Sequence, residues 1–451
     1  MDTGFTIAIT GDSIIRVRLS LCTDNRFHSF IRVIREADAA YTQLELPVHD
    51  YEGQELFPAA EAGHNWARAP QFAVEELKWA GFDIVSTASN HSLDYSYGGL
   101  YSTWKALKDA HMPFAGTGMN LAEAREPAYV DTPKGRVALV SMCSSFVRWS
   151  RAGDARRDVK GRPGVNPLRF HHIVDAGIIG SIKELAVKLG WCVEHHDNAW
   201  IISQPGTQNT IYQFVAGEKP GVTTTVDEDD AQSNLRSIRF ARKQADYVLA
   251  HVHSHDFHPV KGTSHPPDFI PPFARSCIDA GADVFIAQGS HAPVRGIEIY
   301  RGKPIFYDPG EVIASSPVHT PRLPADFYFR AGYSHFDSNI RQWEATAAEA
   351  SEAMKAYDSA SFVNPPGGIR NSAVGKGCFA AICRFEAGGK LTRLNLYPAT
   401  YLEEPVSQRG IPISANAEAA RRIIEHVREL SAPYGTKVTF RDGIGDVELE
   451  A

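Results

Sequence analysis

A chain of 451 residues with 43% hydrophobic content can bury a large core, and calls for either two domains or one α/β core carrying insertions. Its net charge of -7, with no dense Lys/Arg run, excludes the basic surface that nucleic-acid binding requires. No apolar run approaches the roughly 20 residues that span a bilayer, and MDTGFTIAIT enters a strand pattern without the features of a signal peptide, so a soluble cytoplasmic protein with no membrane partner is expected.

In chain order, Phe5 to Thr10 alternate as a strand that ends in Gly11-Asp12, and a helical pattern follows over 27–37. A second strand over 39–44 ends at Glu45 before Pro47 breaks it, and a helix over 70–80 leads to a short buried strand over 84–88. Asn90 and His91 stand where the chain leaves that strand, followed by Asp94 and a helix beginning near Gly99. Asn offers a neutral oxygen to a cation and the neighbouring His can donate a proton, so the pair points to metal chemistry. Another strand over 136–142 completes an alternation of strands and helices that predicts an α/β core.

The pattern loosens over 147–245, read as a long insertion or cap. It holds a helix over 176–189, the surface pairs His171-His172 and His195-His196, and a DEDD run from Asp227 that begins a polar, solvent-facing helix. The core resumes in a strand over 246–252 that ends at His253, then a helix over 272–280 and a strand ending in Gln288 to His291. Gly296 to Asp308 read as a hairpin turned at Arg301-Gly302. A second insertion covers 313–376, strands return over 378–397, and an amphipathic helix over 417–430 closes the chain. The six cysteines show no CxxC spacing and read as buried free thiols.

Asp12, Glu45, Asn90 with His91, His253 and His291 each lie just past the end of an apolar strand. Open α/β sheets gather such ends on one edge, so these residues can converge. Two carboxylates, an amide oxygen and two imidazoles suit a borderline divalent ion such as Mn, Zn or Fe, which lowers the pKa of bound water enough to supply hydroxide near neutral pH.

The ordered motifs GD, LE, SNHSLDY, ADYVLAHVH, DVFIAQGSH and VRGIEIYRGKPIFYDPG resemble the CapA family, the poly-gamma-glutamate synthesis proteins related to calcineurin-like metallophosphatases. GTGMNLAEAREPAY, RPGVNPLR, LYPATYL and LSAPYGT extend the resemblance over most of the chain. It implies a single domain over 1–451 with a four-layer αββα sandwich of the metallophosphatase type, carrying the insertions at 147–245 and 313–376. Carried over, Asp12, Glu45, Asn90, His253 and His291 are metal ligands and His91 is the general acid. Apart from the resemblance, Arg148, Arg169 and Arg295 are of a type that binds a substrate carboxylate or phosphate, and Arg295 and His255 are placed toward the substrate. Ile14 stands where the metallophosphatases have a second ligand, Gln43 replaces the usual Asn before Leu-Glu, Pro293 replaces a His, and PGEV at 309–312 replaces Leu-Gly-Asn-Phe. His255, Asp256, His258, Asp308 and Glu311 are further ligand types near the motif ends, so one ion or two remain open. The expected function is a metal-dependent hydrolase in which metal-bound hydroxide attacks an amide-type, glutamyl-like bond of a small molecule or polymer. The alternatives are a metal-dependent phosphoesterase and a noncatalytic polymer-binding accessory.

Overall fold

Two β-sheets carry the strand ends that the sequence marks. The computed structural model describes residues 4–53, 55–60, 66–196, 199–205, 211–290, 294–315, 319, 322–330, 346, 348–350 and 377–449. In spatial order the first sheet runs Val438–Arg441, Ile444–Val447, Leu391–Tyr401, Cys378–Phe385, Phe5–Ile14, Ala39–Leu44, Ile84–Ser86 and Phe114–Ala115. Glu311–Ala314 also pairs with Phe5–Ile14, and Pro412–Ser414 with Leu391–Tyr401. The second sheet runs Ile297–Tyr300, Lys303–Phe306, Val284–Gln288, Tyr247–His253, Gly135–Cys143 and Ala128–Thr132.

Side chains that alternate along these strands separate two kinds of core. Ile7, Ile9 and Tyr41 of the first sheet meet Leu139, Leu249 and Ile286 of the second in the core between the sheets. Their neighbours Ala8 and Ala40 turn outward to Phe27, Phe30, Ile34, Val74 and Leu77 of the helices Asn25–Arg35 and Ala73–Ala80. On the other side Val140, Val248 and Phe285 turn outward to Leu235, Ile238, Phe273 and Cys277 of the helices Glu228–Arg242 and Ile270–Asp279. The order is helix, sheet, sheet, helix, the four layers expected. Ile423, Ile424 and Val427 of the helix Ala417–Ser431 extend the core between the sheets.

Pairing is parallel among the strands that carry the site, so their carboxyl ends fall on one edge. Asp12 is in register with Gln43 and with Glu311, and His253 with Cys143 and Gln288. The hairpin turns at Arg301 and Gly302, whose φ values of 51° and 72° are those of a tight two-residue turn.

Within 147–245 the structure is more regular than the sequence suggests. Phe170–Val174, Cys192–His196, Ala199–Ser203, Ile211–Ala216 and Val222–Val226 form a five-stranded sheet of their own, with the helix Ala176–Lys188. The range also reaches too far, because Glu228–Arg242 belongs to the outer helix layer of the core. Nor does the DEDD run face solvent throughout. Asp227 caps the helix, while Asp230 is 2% exposed and meets Arg169 at 2.7 Å and Arg125 at 2.9 Å. Cys192 is exposed, against expectation, and the other five cysteines are buried. Glu311–Ala314 is a core strand and Ala325–Arg330 a short helix, while most of the remainder of 313–376 lies outside the described residues. Among the described residues no helix is long and apolar enough to cross a membrane.

Candidate active site

The site is built around His253, the last residue of its strand and fully buried. Gln43, at the end of the facing sheet's second strand, donates its amide to the Ala88 carbonyl at 3.1 Å, which turns its Oε1 toward His253 Nδ1, also at 3.1 Å. A neutral His253 therefore carries its proton on Nδ1 and a lone pair on Nε2. That Nε2 lies 2.9 Å from Asn90 Oδ1 and 3.1 Å from His255 Nε2, and the last two atoms are 3.0 Å apart. Carbonyl oxygen and unprotonated imidazole nitrogen are both lone-pair donors, an arrangement that a cation between them resolves. Separations of 2.9 to 3.1 Å are those of neighbouring ligands at right angles around an ion with bonds of about 2.1 Å. Ligand atoms of Glu45, His253 and His255 lie within 4.8 Å of one another. These residues fit a divalent cation.

Each ligand type has a support. Ser89 Oγ donates to Asn90 Oδ1 at 3.2 Å. The His255 backbone N–H donates to Ser145 Oγ at 2.8 Å, and that hydroxyl donates to Asp256 at 2.9 Å. Burial pushes the Asp256 carboxyl above its ordinary range, opposed by the hydroxyls of Ser145, Ser254 and Ser144. Gly289 has a φ of 104°, and a Cβ there would lie 2.9 Å from His253 Cε1. The glycine serves both its own backbone and the space for the ring.

His91 stands beside this cluster. Its Nδ1 is 2.7 Å from Asp94 Oδ2, which also accepts the Ala67 N–H at 2.8 Å, and its Nε2 lies 4.0 Å from Glu45 Oε1. Burial pushes the Asp94 carboxyl up, and the neighbouring His91 opposes that shift. A proton shared with Asp94 at Nδ1 leaves Nε2 to act on whatever occupies the space before Glu45.

Among the residues expected at the site, Glu45, Asn90, His91 and His253 are brought together. Asp12 takes a different place: its Oδ1 lies 3.8 Å from His253 Nδ1, on the side of the ring away from Asn90. His255, expected to touch substrate or to serve as a further ligand, stands among the ligand atoms, and being half-buried it marks the open side of the cluster. Arg295 is corrected outright. It is 2% exposed and donates through Nε to the Thr263 carbonyl at 2.8 Å and through a terminal nitrogen to the Asp256 carbonyl at 3.1 Å, so its donors tie down the loop after His255 in place of the substrate contact expected. Asp308 accepts the Ser290 and Gly310 N–H groups, at 2.9 and 2.8 Å, and His258 Nδ1 accepts two N–H groups of its own loop. His291 and Pro293 lie outside the described residues. The roles of Ser145 and Gly289 left no signal in the sequence, whereas Asp94, three residues after His91, had one in its spacing.

Residues 6–316 match the family described as bacterial capsule synthesis protein PGA_cap. The chain is 31% identical over 449 residues to the uncharacterized protein y4sH of Sinorhizobium fredii, covering 99% of this chain and 93% of that one. It is 30% identical over 237 residues to a probable polyglutamine synthesis accessory protein of Mycobacterium tuberculosis, covering 51% of this chain and 44% of the other. Among solved structures, a novel phosphatase from Mycoplasma pneumoniae aligns over 88% of this chain and 94% of its own, at 9% identity and a TM-score of 0.39.

Proposed function

The chain belongs to the PGA_cap family of bacterial capsule synthesis proteins, and from that premise we propose that it is a metal-dependent hydrolase of an amide-type, glutamyl-like bond. The observation that carries this is the His253 Nε2 lone pair held against Asn90 Oδ1 and His255 Nε2 by the Gln43 amide behind it. Glu45, Asn90, His253 and His255 would hold the ion, with Gln43 orienting His253 from its other nitrogen and the Asp12 charge behind it. A divalent ion there supplies Lewis acidity and acidifies water. The chain's own residues do the rest. Asp94 keeps one proton on His91 Nδ1 and aims Nε2 at the reacting group, where Nε2 takes the proton released by the attacking water and passes it to the amine as the C–N bond breaks. The buried flanks of Asp12, Glu45 and His253 exclude bulk water.

The amide is favoured over a phosphate monoester by charge. Two negative charges on a monoester are normally shared by two metals and basic groups. In this chain Ile14, where relatives place a second ligand, packs against apolar core residues. The Mycobacterium relative, named as a probable polyglutamine synthesis accessory protein, supports a glutamyl-like substrate. The test is metal analysis of protein purified without chelator, followed by a screen of glutamyl peptides, small amides and imides beside phosphomonoesters and phosphodiesters. Bound divalent metal with His91-dependent amide cleavage is expected. Cleavage of phosphate esters alone returns the protein to the phosphoesterases, and metal binding without any turnover makes it a polymer-binding accessory.

A further inference from the structure

Two arginines that the sequence did not single out are buried on the same edge as the ligand cluster. Arg16 lies two residues beyond the Phe5–Ile14 strand and is 8% exposed, and Arg68 lies in the loop that returns from Glu45 and is 3% exposed. Arg16 donates through one terminal nitrogen to the Ser315 carbonyl at 2.7 Å. Arg68 donates through one terminal nitrogen to the His49 carbonyl at 2.6 Å and to Asp50 at 2.9 Å. In both side chains the Nε–H is buried and meets no acceptor among the described residues. An unmet buried donor costs roughly 1–3 kcal/mol, more when charged, so two in one region mark a place built for an acceptor from outside.

Strand register places them beside the cluster. Ser13 pairs with Leu44, so Arg16 and Glu45 leave the same sheet edge side by side, and Val48 bridges Ala69, next to Arg68. Burial pushes the Arg16 pKa down to about 10, and Glu45 opposes the shift. The Ala67 N–H, one residue from Arg68, is bound to the Asp94 carboxylate that holds His91. The Tyr95 hydroxyl donates to the Trp66 carbonyl at 2.9 Å, and the Arg68 guanidinium stacks 4.8 Å from the centre of the Tyr51 ring. Tyr51 and Trp66 have φ values of 67° and 42°, left-handed conformations that non-glycine residues adopt at a cost and that gather at ligand sites.

We infer that Arg16 and Arg68 form a subsite for an oxyanion of the substrate beside Glu45 and His91, taking a carboxylate or a phosphate through the Nε–H that each leaves unmet. The inference rests on the hydrolase reading for its purpose, since a fixed anion beside His91 positions the neighbouring bond. Its test does not need turnover.

Glutarate, inorganic phosphate and the uncharged glutaramide are titrated calorimetrically into the full chain, both metal-free and manganese-loaded. Saturable binding of an anion in both states is expected, with none for glutaramide. Tighter binding of glutarate assigns a carboxylate to the subsite, and tighter binding of phosphate a phosphate. Arg68→Lys keeps the charge but loses the planar fork, and Arg16→Gln loses both; each should weaken the anion tenfold or more while metal content stays as in the wild type and unfolding stays cooperative. If Arg16→Gln does not fold, Arg68→Lys decides alone. The inference is overturned by a wild type that binds neither anion, by binding seen only with manganese present, or by affinities that Arg68→Lys leaves unchanged. Absence of metal or of hydrolysis would sink the hydrolase and leave the anion titration standing, so the two can fail separately.

Discussion

At the scale of single residues His91 stands apart from the atoms that would hold an ion. His91 is 4.0 Å from Glu45 and tied to Asp94, outside the Asn90, His253 and His255 contacts. His91→Ala should therefore lower turnover by roughly a factor of 100 to 10,000 with metal content unchanged; loss of metal in this variant, read by mass spectrometry, would make His91 a ligand. Asp12 makes the opposite case. Its Oδ1 lies 3.8 Å from His253 Nδ1, beyond hydrogen-bond reach, where its charge would favour the proton on that nitrogen and so the lone pair on Nε2. Asp12→Asn should weaken metal binding by about 10- to 100-fold, whereas His253→Ala should abolish it. Equal and complete loss in both variants, measured by competition with a chromogenic chelator, would put Asp12 on the ion.

At the scale of elements, loops are held by packing that a substitution can break. The Cβ of Gly289→Ala would meet His253 Cε1 at 2.9 Å, and the position already has a φ of 104°. The ring must move off Asn90, so this variant should fold and lose most of its metal affinity; a fully loaded Gly289→Ala protein would show that the ring can give way. The helix Glu228–Arg242 is anchored by Asp230, which accepts from Arg125, from the Arg169 side chain and from the Arg169 N–H. Asp230→Ala leaves two arginines around a buried gap and should cost about 3–5 kcal/mol in urea denaturation. The partial exposure of Arg169, 39% for its side chain, sets the expectation at the lower end. A loss under about 1 kcal/mol would mean that water replaces the carboxylate there.

At the scale of the whole molecule the ligand cluster joins the two sheets. Glu45 and Asn90 follow strands of the first sheet, and His253 and His255 end or follow a strand of the second. An ion bound there fastens one sheet to the other and binds only the folded chain. At a free ion concentration of about 100 times Kd it should add about 2.7 kcal/mol of stability, seen as a higher melting temperature that a chelator reverses. A melting temperature indifferent to chelation, in protein shown to hold metal, would place the ion where it spans nothing. The ligand types and the strands that present them were legible in the sequence because each signal is local: an apolar run, then Asp12, Glu45, Asn90 or His253 at its polar end. The same holds for the hairpin at Arg301-Gly302, a tight turn set by two adjacent residues. Other assignments needed the folded chain, because they depend on distances between the sheets and on burial. They include the nitrogen of His253 that faces Asn90, the position of Asp12 on the Nδ1 side of that ring, the choice of His255 from among the further ligand types, and the sealing of Arg295 under its loop. Arg16 and Arg68 were invisible for the same reason: an arginine's chemistry changes when the chain closes over it, and closure is decided by residues hundreds of positions away, as Ser315 is from Arg16.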